Sequence, residues 1–128
     1  MTVSIQIEPE TGMAIVSCSG VLRPSDAQEG AKALWKTAGW SGKAVVWDFR
    51  EAQFDMTSSD TQNIAKFILT HQPATPPLKV AFITQRDFDY GMARVFEVYR
   101  EDQHTEFQVF RDYEEAISWA RSLKPDVA

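Results

Sequence analysis

AVVWDFREAQFDMTSSD, residues 44 to 60, changes character three times. Ala44 to Phe49 is a nearly continuous apolar run holding Val45, Val46 and Trp47. Such a run suits a strand covered on both faces, as central parallel strands are. It ends on an acidic residue, Asp48, with Arg50 and Glu51 directly after, and passes into a short loop bearing the aromatic Phe54. The hydroxyl cluster Thr57, Ser58, Ser59 then opens a helix: from Thr57 the period lengthens, and Ile64, Phe67, Ile68 and His71 share a face. Ser59 with Gln62 has capping-box spacing, and Pro73, Pro76 and Pro77 stop the helix.

Upstream, Ser4 to Glu8 alternates weakly, Pro9 to Gly12 carries turn residues, and Met13 to Gly20 alternates apolar and small polar side chains. Two short strands joined in this way read as a hairpin. Arg23-Pro24-Ser25-Asp26 starts a helix, with Ser25 as cap and Gln28 at the boxed position. Ala27, Ala31, Leu34 and Ala38 recur at helical spacing, and Gly39 is the stop signal.

Downstream, Leu78 to Thr84 is a second buried strand, and Asp87-Phe88-Asp89-Tyr90-Gly91 is a loop that Asp89 closes by capping the next helix. Met92, Val95, Phe96 and Tyr99 form that helix's apolar stripe, with Arg94, Glu97 and Arg100 facing out. Thr105 to Phe110 alternates, placing Phe107 and Val109 together. Asp112 caps the last helix with Glu115 at the boxed position, and Tyr113, Ala116, Ile117, Ala120 and Leu123 form its apolar face. The order β-β-α-β-α-β-α-β-α predicts an α/β fold: a mostly parallel five-stranded sheet with an antiparallel N-terminal strand and right-handed crossovers. One domain over 1–123 is expected, with 124–128 as a short C-terminal tail.

The bulk numbers exclude several classes. A net charge of −5, from 13 basic and 18 acidic residues scattered along the chain, argues against nucleic acid, whose phosphates call for clustered Lys and Arg. No apolar run approaches the roughly 18 residues that insertion into a membrane requires, and the start of the chain lacks the basic and apolar blocks of a signal peptide. The single cysteine, Cys18, cannot form an intramolecular disulfide, which suits a reducing cytoplasm. Cys18 lies mid-strand among small apolar residues and is expected to be buried and inert.

The layout of 44–60 resembles that of the STAS domain, the fold of the bacterial anti-sigma factor antagonists, and within it the SpoIIAA-like group. VVWDFREAQF followed by the hydroxyl cluster is similar to that family's central strand, acidic strand end and following helix. YGMARVFEVY is similar to the helix after the group's fourth strand, and FQVFRDYEEAISWARSL to its closing strand and helix. The resemblance spans about 43 to 123 and implies a SpoIIAA-like STAS fold without catalytic activity. It implies a partner such as an anti-sigma factor or another regulatory protein. Switching antagonists present an Asp-Ser pair, usually followed by Gly, at the start of this helix, and an ATP-using kinase phosphorylates that serine. Thr57 or Ser58 falls at the matching place, though the chain reads Phe54-Asp55-Met56-Thr57-Ser58-Ser59 and lacks the Asp-Ser-Ser-Gly signature.

Read as chemistry, the candidate partner- or ligand-binding surface consists of Asp48, Arg50, Phe54, Asp55, Phe88, Tyr90 and Arg94. Open α/β sheets place ligands outside the strands' carboxyl ends, where the reading puts Asp48. The plainer account of Asp48 is a strand-end charge held by loop amides or an ion pair, with Asp55 the one candidate for a second catalytic carboxylate. Arg94 is a candidate partner for Asp87 or Asp89. The hydroxyl cluster is a helix cap on the plain account and an acceptor for a phosphoryl group on the functional one. His71 and His104 are far in sequence from each other and from Cys18, so metal-site spacing is absent and no cofactor is implied. Ser58, His71 and Asp48 could be written as a triad, but no nucleophile elbow accompanies them. Two functions stay open: regulatory protein–protein interaction, and binding of a small hydrophobic or lipid-like ligand with Phe54, Phe88 and Tyr90 lining a pocket. Trp35 falls off the alanine face as a candidate interface anchor, and an incompletely covered sheet face makes a homodimer a further expectation.

Overall fold

The computed structural model describes residues 1–100 and 104–122; Leu123 and the tail at 124–128 lie outside the described residues. The elements are β1 (Thr2–Ile7), β2 (Ala14–Leu22), α1 (Pro24–Trp35), β3 (Ala44–Phe54), α2 (Ser58–His71), β4 (Lys79–Ile83), α3 (Asp87–Arg100), β5 (Glu106–Phe110) and α4 (Tyr113–Arg121). They form one five-stranded sheet in chain order, with β1 antiparallel to β2 and the other pairs parallel. This is the architecture the sequence predicts.

Strands laid side by side in chain order have a consequence for the helices. Successive crossovers of one hand deliver their helices to one face of the sheet. Accordingly α1 packs on α2 and α2 on α3, while α4, which follows the last strand, lies against β3, β4 and β5. The period-2 alternation of the strands then divides the core in two. Val16, Val45, Phe49, Val80, Phe82 and Val109 meet Leu34, Ile64 and Ala93 on the three-helix side. Ala44, Val46, Ala81, Ile83 and Phe110 meet Ala116, Ile117 and Ala120 under α4. The continuous apolar run in β3 is thus explained by burial on both sides.

The β1–β2 turn is closed by Gly12 N donating to Glu8 O (2.7 Å) and Glu8 N to Met13 O (2.8 Å). Gly12 is required there: its φ is +74°, and a Cβ on it would sit 2.7 Å from Ser41 Cβ. Several boundaries differ from the sequence reading. Helix α1 begins at Pro24 with Arg23 as N-cap, and Asp26 Oδ2 accepts from Arg23 N at 2.9 Å. Ser25 is therefore inside the helix, because proline is favoured at the first helical position. The helix ends at Trp35, leaving Ala38 and Gly39 in a separate turn where Gly39 supplies a φ of +89°. Tyr99 is 46% exposed rather than part of the α3 inner stripe, which consists of Ala93 with half-buried Met92 and Phe96. Arg100 closes α3, and its side chain is outside the described residues. At α4 the expectation holds, Asp112 accepting from Glu115 N at 2.8 Å.

Candidate functional site

The site is built on a length mismatch. β3 extends from Ala44 to Phe54, whereas its pairing with β4 stops at Asp48↔Ile83. Beyond that point β3 pairs with β2 alone, and the register shifts from Ser17↔Asp48 to Ser19↔Glu51, so β3 carries one extra residue. This is a β-bulge, which re-aims the side chains around it. The expected loop after Phe49 is therefore strand, and Asp48 is a mid-strand residue, not a strand-end one.

At the bulge Asp48 is buried and held by Arg50: Arg50 Nε donates to Asp48 Oδ1 (2.9 Å), Nη2 to Oδ2 (2.8 Å), and the Arg50 backbone N–H to Oδ1 (3.1 Å). The Arg50 guanidinium lies 4.5 Å from the centre of the Tyr113 ring on α4. The fork-to-fork geometry uses the carboxylate fully. Asp55 stands seven residues further on, just past the end of β3, about 20 Å away at the rise of a β-strand. It pairs at 3.7 Å with Arg23 in an exposed contact, so the two carboxylates do not form a catalytic couple. Nor is there a triad: Ser58 and His71 occupy opposite ends of the 14-residue helix α2, about 20 Å apart at the helical rise.

The overhanging end of β3 needs a hydrogen-bond partner that β4 does not reach to give. Asp89 supplies it, its Oδ1 accepting from Phe54 N at 3.1 Å. Asp89 is not the cap of α3, which already starts at Asp87, but a buried residue of its first turn, 1% exposed. Burial pushes its carboxyl above the usual range, partly opposed by the Phe54 N–H and by Arg86, whose Nε is 3.9 Å from Oδ2. Asp89 Oδ2 and Thr84 Oγ1 are buried without hydrogen-bond partners among the described residues. Asp87 pairs with Arg111 (2.9 Å), which also lies 4.6 Å from the Tyr90 ring centre. Arg94 instead pairs with Glu97 on its own helix at 3.4 Å. Sequence reasoning missed the pairings of Arg23, Arg86 and Arg111; all three follow strand ends, a position with no local signal of the carboxylate it will meet.

The hydroxyl cluster lies on the same edge. Thr57 is the N-cap of α2: its Oγ1 accepts from Asp60 N (3.1 Å), and Asp60 Oδ2 accepts from Thr57 N (2.9 Å). The capping box is thus Thr57 with Asp60, not Ser59 with Gln62. Ser58 and Ser59 follow in the first turn, both exposed. Phe88 is 47% exposed in the first turn of α3, and Phe54 turns inward to the core, T-shaped against Phe49 at 5.0 Å. The structure therefore gathers Phe54, Asp55, Thr57, Ser58, Phe88 and Tyr90 around the strand ends. It leaves Asp48 and Arg50 on the α4 side and Arg94 on the outer face of α3. Trp35 is half-buried and stacks on Phe67 at 6.4 Å within the molecule. Among the described residues no three His, Cys, Asp or Glu side chains could hold a metal ion, and no helix is long and apolar enough to cross a membrane.

No protein-family model matches the chain, and no curated protein matches it. Solved structures do. One is an uncharacterised protein of the DUF3478 family with a SpoIIAA-like fold from Shewanella loihica PV-4, at TM-score 0.60 and 20% identity over 93% of this chain and 92% of that one. Another is the anti-sigma factor antagonist SpoIIAA in its unphosphorylated form, at TM-score 0.56 and 17% identity over 95% of this chain and all of that one. The chain has a SpoIIAA-like fold.

Proposed function

We propose that this chain is a non-catalytic regulatory domain that binds a protein partner through the edge formed by the end of β3 and the starts of α2 and α3. An anti-sigma factor is the partner class that the antagonist of the same fold suggests. One observation carries the reading: the edge combines an exposed aromatic, Phe88, with exposed hydroxyls and charges in solvent-facing pairs. An apolar anchor within a polar rim is the composition of a protein interface. The carboxylates that could do chemistry are committed elsewhere, Asp48 to Arg50 and Asp89 to Phe54 N.

A phosphorylation switch belongs to the same reading, with Ser58 as the acceptor. The Thr57 hydroxyl is engaged in the cap, whereas Ser58 is exposed at the first helical position. A phosphoryl group there faces free helix N–H groups and the positive end of the helix dipole, opposed by the charges of Asp55 and Asp60. The test is to incubate the protein with an anti-sigma kinase and ATP and map the modified residue by mass spectrometry. Binding is then measured for wild type, Ser58→Asp and Phe88→Ala. The reading expects a phosphate on Ser58 and weaker binding by both variants. A kinase that binds without contacting this edge, with Phe88→Ala as tight as wild type, would sink it.

A further inference from the structure

A partly open cavity of about 110 Å³ lies between the sheet and helices α1 to α3. Its origin is a mismatch of side-chain sizes. The sheet offers large rings, with Phe49 stacked 6.1 Å from both Trp47 and Phe82. On the helix side, Ala27, Ala31 and Ala93 stand among larger residues such as Leu34, Ile64 and Phe96 and leave part of the space beside the rings unfilled. Phe54 lines the cavity; Phe88 and Tyr90, expected as lining residues, do not.

Polar groups are few in its wall, and several are already used. Asp26 Oδ2 accepts from Arg23 N (2.9 Å), Thr61 Oγ1 donates to Thr57 O (3.0 Å), and Trp40 Nε1 donates to Ala44 O (2.9 Å). The Cys18 thiol is pushed up to about 12, by burial first and the Asp48 charge second, and so stays neutral. Water needs about two to four polar partners to be held in such a place. A negatively charged guest would lose hydration against a mostly apolar wall that holds a carboxylate, Asp26. Size narrows the class further. The volume is below the roughly 300 Å³ at which drug-sized pockets begin, and near the ~150 Å³ of an apolar cavity that takes benzene or xenon.

We infer that this cavity is a binding site for a small, neutral, apolar molecule of single-ring or short-alkyl size. It is not sized for a lipid with a head group. The cavity shares Phe54 with the docking edge but lies on its core side, and its test reads buried methyl groups, not partner binding.

The experiment is a methyl-resolved NMR titration of the full chain with toluene and, in parallel, with benzoate, the same ring carrying a charge. Toluene is expected to shift the Val45, Ile64 and Val80 methyls saturably, while Val46, Ile83 and Ile117 under α4 stay in place. Benzoate is expected to bind roughly tenfold more weakly or worse. Ala27→Leu fills the space and should abolish the toluene shifts; Ala27→Met serves if the leucine variant does not fold. The inference is overturned if toluene gives no saturable shift, if benzoate binds equally well, if both cores respond alike, or if the filled variant binds unchanged.

Discussion

Replacing Thr57 by alanine tests where α2 begins and, through that, which hydroxyl is free. Thr57→Ala removes the 3.1 Å bond from Asp60 N and leaves the 2.9 Å bond that Asp60 Oδ2 accepts. Loss of an N-cap acceptor costs about 1 kcal/mol, within a range of roughly 0.5–2. Unfolding entropy of about 2.1 cal/mol/K per residue gives roughly 270 cal/mol/K for a chain of 128 residues. Each ~1 kcal/mol therefore lowers Tm by roughly 4 °C. Thr57→Ser and Thr57→Asp keep an acceptor and should stay within about 0.5 kcal/mol of wild type. Urea unfolding followed by circular dichroism measures the change, with an unchanged m-value showing that the unfolded state is the same. The reasoning is refuted if Thr57→Ala is neutral while Ser59→Ala loses about 1 kcal/mol. The helix would then start where the Ser59–Gln62 spacing puts it, and Ser58 would precede the cap instead of facing the helix amides.

Asp89→Asn keeps an acceptor for Phe54 N and removes a charge that burial disfavours. Because the folded-state value lies above the ordinary 3.8, wild type loses stability as pH rises from there through the raised value, and the variant does not. The Tm difference, variant minus wild type, should grow over that interval and be flat above it; a constant difference refutes the assignment. Asp48→Ala strands Arg50, but that side chain is 39% exposed and can turn to solvent. The loss should be about 1–3 kcal/mol by denaturant unfolding, short of the ~3–5 of a fully buried pair. Cys18, buried with its thiol pushed up to about 12, should resist alkylation at pH 8 in the native protein and react fully in denaturant. Rapid native labelling would mean that the three-helix core opens readily.

What could be read from the sequence was what local periodicity encodes. The two-faced burial of Val45 and Val46, the alternation in β5 and the Asp112 cap are each decided within a few residues, and each appears as read. The misreading of β3 has one physical source. Period-2 counting assumes an unbroken ladder, and the bulge after Asp48 turns Arg50 and Glu51 outward before Ala52 and Phe54 return to the core. Read locally, that double polar step is the end of a strand. Asp89 was misread for a related reason: an acidic residue near a helix start looks like a cap. Only the overhang of β3, formed 35 residues earlier in the chain, explains why this one is buried. The same bulge bears on function. It fixes Asp48 and Arg50 on the α4 side and carries Phe54 forward to Asp89, so a surface that looked continuous in sequence becomes two. The half beside α4 is an internally neutralised ion pair stacked on Tyr113. In the other half the Phe54–Asp89 hydrogen bond joins the end of β3 to the first turn of α3, and Thr61 Oγ1 of α2 lies 3.6 Å from Met92 Sδ of α3. A group added at Ser58 or a partner seated on Phe88 would therefore act on one connected edge, and coupling between the two, measured as non-additivity of Ser58→Asp and Phe88→Ala in binding, is the property that this connection requires.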